Sequence, residues 1–301
     1  AIRAKVHEGK SGEGLFFELA IEDLTQAADL FRPIYDRTAG LDGFVSLEVS
    51  PLLAYDTHST IEAAKTLHAR ANRPNLYIKI PGTKEGLPAI EEAIFSGIPV
   101  NVTLLFSREQ YLAAAEAYLR GIERRIDAGL PPNVESVASV FVSRWDGAVA
   151  DKVPDALKNK LGIAMSLRVY KAYRDLLISP RWLRILNEGA RPQRLLWAST
   201  GTKDPQASDI LYIKGLASPY TVNTMPEGTL KAFADHGSVG DALPLDGGDG
   251  EQTLASFTQA GIDLEALALK LQADGAKSFV ASWHELLDCI GSKTDELKRA
   301  G

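Results

Sequence analysis

The sequence predicts an α/β fold built on a parallel sheet. Two observations carry this. Six short β-like segments alternate with stretches of helical spacing, and most of these segments place polar residues at one parity near their C-terminal ends. The chain has 301 residues, 45% hydrophobic and 24% charged, which suits a single α/β barrel with a sizeable core. There is no internal repeat of roughly 20–50 residues and no long Pro/Ser linker, so residues 1–301 read as one domain.

The β-like segments are 44–49, 76–80, 99–105, 137–142, 194–199 and 220–224, and helical spacing at 60–70, 108–128 and 156–177 fills much of the space between them. In the first segment Ser46 and Glu48 oppose Val45, Leu47 and Val49. In the second Lys79 lies opposite Ile78 and Ile80. In the third Asn101 and Thr103 oppose Val100, Val102 and Leu104. Ser139 faces away from Ala138 and Val140, Ser199 shares parity with Leu195 and Trp197, and Thr221 and Asn223 alternate with Val222. A parallel sheet covered on both faces calls for continuously apolar strands. Polar residues at one parity are therefore expected to converge on one interior, at the strand ends where barrel enzymes keep their active sites. After Thr224 the chain reads as helices only, with 264–273 and 279–290 the clearest.

The formal charge of −6 and pI near 5.5 argue against a general nucleic-acid binder, and Arg120, Arg124 and Arg125 read as a solvated helix face. Cys289 is the only cysteine, so no disulfide framework is expected, and a reducing, cytoplasmic setting fits. No signal-peptide core is visible at the start, and no apolar run approaches the ~18–20 residues of a membrane span. His7, His58, His68, His236 and His284 form no pair with metal-ligand spacing, so no metal is expected. Gly247-Gly248-Asp249-Gly250 is a loop signal without a ligand role.

Lys79 is the most informative residue, because it interrupts the apolar run Leu76-Tyr77-Ile78-Lys79-Ile80-Pro81. Burying an ammonium is unfavourable, and the same penalty favours the neutral amine that Schiff-base formation requires. The competing reading is a buried Lys79–Glu48 ion pair, a weak contributor to stability.

Leu47-Glu48-Val49-Ser50, Tyr55-Asp56-Thr57, Ile78-Lys79-Ile80-Pro81-Gly82-Thr83 and Asn101-Val102-Thr103-Leu104-Leu105-Phe106-Ser107 resemble the transaldolase family in order and spacing. Ser139-Val140-Phe141-Val142-Ser143-Arg144 and Trp197-Ala198-Ser199-Thr200-Gly201-Thr202-Lys203 extend the likeness, which is closest to the bacterial and plastid branch, some of whose members are fused to a glucose-6-phosphate isomerase domain. The resemblance implies a TIM (β/α)8 barrel and sugar-phosphate substrates. It implies that Lys79 holds a dihydroxyacetone unit as an imine, that Glu48 relays protons through a water, and that Thr103 helps to hold that water. Asn101, Ser139 and Ser199 are then substrate-binding residues, and Arg144 clamps the phosphate. Lys203 stands where other branches carry a phosphate-binding arginine, and is assigned a phosphate contact or a solvated loop position. Asn101 and Thr103 alternatively bond to backbone, and Arg144 alternatively pairs with Asp146 or Asp151. The chemistry implied requires no cofactor.

The family barrel has eight strands, and six are legible here, matching the third to the eighth. The first two βα units are therefore expected to be missing from this chain, and with them the first-strand aspartate and second-strand asparagine of the family. A barrel short of two strands exposes two sheet edges, so the domain is expected to be N-terminally incomplete. The helix at 279–290 either covers the site or packs on a second copy, which leaves a homo-oligomer open. The implied activity is exchange of dihydroxyacetone between ketose and aldose phosphates in the pentose phosphate pathway. The alternatives are a class I aldolase releasing free dihydroxyacetone and a non-catalytic sugar-phosphate-binding remnant.

Overall fold

The computed structural model describes residues 2–299. Among them the chain forms a six-stranded parallel sheet, with the strands hydrogen-bonded in chain order, and twelve α-helices. The α/β class is as the sequence predicts. Two compact units divide the chain, one made of Ala1–Asn101 with Asp274–Gly301 and the other of Val102–Ala273.

The first unit opens with α1 (Ile2–His7) and the 26-residue α2 (Gly12–Arg37). No helix was expected at α2. Its interior carries Pro33, which argues against a helix from sequence, and only Leu15 and Ala28 along it are fully buried. β1 (Val45–Glu48) follows, then α3 (Thr57–Ala71), β2 (Leu76–Pro81) and α4 (Gly86–Phe95). Asp56 caps α3 by accepting from Ser59 N at 3.0 Å, and Asn72, at φ 47°, ends it in the left-handed region that Asn tolerates. β1 and β2 pair in parallel with Val45 opposite Leu76 and Glu48 opposite Lys79.

β3 (Val100–Leu105) runs from the first unit into the second. The second unit then holds α5 (Arg108–Asp127), β4 (Ser136–Phe141), α6 (Ser143–Val149), α7 (Leu161–Leu177), α8 (Pro180–Asn187), β5 (Arg194–Ala198), α9 (Leu211–Gly215), β6 (Thr221–Asn223), α10 (Glu227–His236) and α11 (Gly250–Gln259). The helix expected over 156–177 begins only at Leu161, after Asn159 at φ 60° interrupts the chain. Ser107 and Gln110 form a capping box at the start of α5, each side chain meeting the other's end of the turn. The last helix, α12 (Leu264–Arg299), is continuous. The two helical stretches expected at 264–273 and 279–290 both lie within it, and Gly275 between them is tolerated inside a long helix.

The strand faces require a correction. Ser139 pairs with Leu196, and Leu196 with Val222, whereas Val140, Trp197 and Asn223 form the next row. Partners in a parallel register share a face, so Trp197, Thr221 and Asn223 lie on the face opposite Ser139 and do not converge with it. Parity counted within each strand cannot fix the phase between strands. Ser199 lies one residue beyond β5 at φ 55°, so the alternation of the strand does not extend to it.

Candidate active site

In the first unit the β1–β2 register sets Glu48 directly beside Lys79, and Lys79 Nζ donates to Glu48 Oε2 at 3.1 Å. Lys79 is less enclosed than its apolar strand implies: its side chain is 25% exposed, and it is the one residue of β2 that is not fully buried. Glu48 is 29% exposed along its side chain, yet its Oε1 is buried and has no hydrogen-bond partner among protein groups. Burial pushes the Glu48 carboxyl above the ordinary carboxylate range, and the Lys79 ammonium draws it part of the way back. Asn101, at the start of β3, shares this face, since its Nδ2 donates to Ser46 Oγ at 3.3 Å.

The segment after Lys79 is held firmly. Thr83 Oγ1 donates to Ala54 O and accepts from Gly86 N at 3.0 Å, which ties the Pro81-Gly82-Thr83 turn to α4. Lys84 just beyond is exposed. A cavity of about 250 Å³ opens beside Glu48, lined by Phe16, Leu47, Phe279, Ser282 and Trp283 among others. Trp283 packs edge-on against Phe16 with ring centroids 4.8 Å apart, and the ring of Phe279 lies 5.8 Å from Lys79 Nζ. The spacing of Phe279, Trp283, Leu286 and Leu287 predicts an apolar core stripe on one helix face. Trp283 is buried as expected, but Leu286 is exposed and Phe279 faces the lysine. A four-residue spacing of aromatics holds no signal that would separate these outcomes.

In the second unit Thr103 is fully buried, and its Oγ1 has no protein hydrogen-bond partner. The next residue, Leu104, takes φ 60°, unusual for a non-glycine inside a strand, and its carbonyl accepts from Gln272 Nε2 at 2.9 Å. Gln110 Oε1 then accepts from Phe106 N (2.8 Å) and Ser107 N (3.2 Å). Two glutamines that the sequence did not single out thus fix the backbone that follows Thr103. Ser139 is buried within β4. Ser199 Oγ lies 2.9 Å from Ser143 Oγ, and its carbonyl accepts from Ser143 N.

Arg144 is half-buried, with its guanidinium 5.2 Å from the Phe141 ring centroid, and burial lowers its pKa from the ordinary value. Asp146 does not serve as its counter-ion. The Asp146 carboxylate instead accepts from Leu161 N, Gly162 N and Tyr212 OH at 2.8, 3.1 and 2.8 Å. That arrangement caps α7 from a distance. Lys203 is exposed and lines a polar cleft of about 390 Å³ together with Lys158, Asn159 and Asp204. Arg144 is not among the residues lining that cleft.

Residues 1–290 match a family model described as transaldolase/fructose-6-phosphate aldolase. The chain is 46% identical to a transaldolase of Parafrankia sp. (strain EAN1pec) over 277 residues, 89% of this chain and 75% of the relative. It is 45% identical to a transaldolase of Thermobifida fusca (strain YX) over 280 residues, covering 90% and 76%. Against a transaldolase of Saccharopolyspora erythraea the identity is 43% over 304 residues, covering 99% and 82%.

Proposed function

Because the chain belongs to the transaldolase/fructose-6-phosphate aldolase family, we propose that Lys79 is the amine that holds a dihydroxyacetone unit during its transfer between sugar phosphates. The observation that carries this assignment is the Lys79–Glu48 pair: an amine and a carboxyl with a raised pKa, side by side on one sheet face and next to a cavity. Lys79 Nζ attacks the ketone carbon, a carbinolamine forms, and water leaves to give an iminium. The C3–C4 bond then breaks. Its electron pair flows into the iminium to give an enamine, the C4 hydroxyl passes its proton to water, and the aldose phosphate departs. An acceptor aldose phosphate reverses these steps.

Glu48 is assigned the proton relay through a water, because a carboxyl displaced upward accepts and returns protons closer to neutral pH. Thr103, with its buried and unpartnered hydroxyl, is assigned to hold that water. Asn101, Ser139 and Ser199 are assigned to the substrate hydroxyls. Arg144 is assigned to the phosphate, whose oxygens a guanidinium matches in charge and geometry. Lys203 is assigned a second, outer phosphate contact. The six strands are read as the third to eighth of a (β/α)8 barrel. In support, β3 and β4 are buried throughout, while β1 is only partly buried and no residue of β6 is fully buried. Cys289, unpaired and exposed, fits a reducing, cytoplasmic setting. No helix among the described residues is long and apolar enough to cross a membrane.

Borohydride trapping with fructose 6-phosphate, followed by peptide mass mapping, tests this assignment. A three-carbon adduct on Lys79 is expected, and none in Lys79→Arg. Intact protein with no adduct, or with the adduct on another lysine, overturns it. Turnover is expected to require an acceptor aldose phosphate, and release of free dihydroxyacetone without one would make the chain an aldolase.

A further inference from the structure

Among the described residues, two groups that respond to charge lie close to Lys79 Nζ. One is the Glu48 carboxyl, from β1. The other is the face of the Phe279 ring, from α12, 5.8 Å away at its centroid. The faces of an aromatic ring carry partial negative charge and attract a cation within about 6 Å, and the attraction grows as water is excluded. Phe279 is only partly buried, and its ring lines the cavity beside Glu48.

The proposed reaction alternates the charge at this nitrogen. The iminium formed on condensation is cationic. Cleavage delivers an electron pair into it and leaves a neutral enamine, and protonation of the enamine carbon restores the cation. A group that interacts with the cation and not with the neutral form changes the proportion of the two.

We propose that Phe279 is a positioning residue that sets the balance between the iminium and enamine forms of the three-carbon intermediate on Lys79. The proposal rests on the assignment of Lys79 as the imine-forming amine. Glu48 pulls in the same direction but also exchanges protons, whereas the ring acts as a fixed electrostatic partner.

Ring fluorination tests this, because it weakens the negative face of the ring with little change in shape. Phe279 is replaced in the full chain by 4-fluoro-, 3,5-difluoro- and 3,4,5-trifluorophenylalanine, with Phe279→Trp and Phe279→Leu alongside. Each protein is loaded with fructose 6-phosphate and divided in two. Borohydride reports the iminium as a stable adduct on Lys79, and hexacyanoferrate(III) reports the enamine by its oxidation. The expected result is a stepwise fall in borohydride adduct along the fluorine series, about three- to tenfold overall, with a matching rise in oxidant consumed. Phe279→Trp retains the adduct, and Phe279→Leu falls with the trifluoro protein. Loss of both signals together, or no trend with fluorine number, overturns the role of Phe279 while leaving the Lys79 assignment standing. Absence of any adduct in the unsubstituted chain overturns the Lys79 assignment and this proposal with it.

Discussion

Glu48 and Lys79 occupy matching positions on adjacent parallel strands, and their charged atoms meet at 3.1 Å. The register alone places the two side chains together, so the pair is a consequence of how β1 and β2 align. Desolvation still outweighs the attraction at Glu48, whose carboxyl ends above its ordinary value of 4.5.

That displacement has a definite sign. The native chain holds the Glu48 proton to a higher pH than the unfolded chain does, so between the two values the native state binds more protons. Stability then falls as pH rises from about 4.5 through the folded value, and the full contribution is present only below that window. Denaturant midpoints measured against pH are expected to show Glu48→Gln gaining on the unsubstituted chain across the window and level with it below. The same variant is expected to lose about 10²–10⁴-fold in turnover through the missing proton relay. Parallel pH curves would mean that Glu48 does not titrate differently on folding.

Thr103→Val separates chemistry from packing. The hydroxyl is buried without a protein partner, so its removal is expected to change stability by no more than about 1 kcal/mol. Turnover is expected to fall about tenfold or more if the hydroxyl holds the relay water. Calorimetry and steady-state rates on one preparation check both halves, and an unchanged kcat refutes the assignment.

Gly86 follows the lysine-bearing strand, and a Cβ there would stand 2.0 Å from Pro81 O and 3.1 Å from Thr83 Oγ1. The first obstacle is backbone and cannot swing aside. Gly86→Ala is expected to destabilise the chain by about 2–4 kcal/mol, visible as a lower urea midpoint.

Gln110→Ala removes the partner of two backbone donors, Phe106 N and Ser107 N, and opens the capping box of α5. A loss of about 1 kcal/mol is expected, while Gln110→Glu, which keeps the acceptor, is expected to retain most of it. Equal losses in the two variants would place the effect in the contact to Ala268 O instead.

Most of the strands were legible because they are short, largely apolar runs bounded by turn residues, and Lys79 and Glu48 stood out because a charge inside such a run is rare. The helix over Gly12–Arg37 was not legible, since its charged residues and Pro33 mask the apolar stripe. The relation of Phe279 to Lys79 was also hidden. The two are far apart in sequence, and no local pattern reports which face of a helix meets which strand. The faces of Trp197 and Asn223 were misread because the phase between strands is a property of the sheet, not of either segment. For Glu48 and Lys79 the phase was right, as their register shows.

The left-handed backbone at Ser199 bears on how that position can be engineered. At φ 55° a β-branched or bulky side chain is strained whatever it would touch, whereas Gly, Asn and Asp are accommodated. A library randomised there and screened for a new donor sugar would first be filtered by conformation. The survivors would be a small polar set even if the substrate offered no contact at all. Altering specificity at this strand end is better begun at Ser143, the helical neighbour that shares the hydrogen bond and has no such restriction on its backbone.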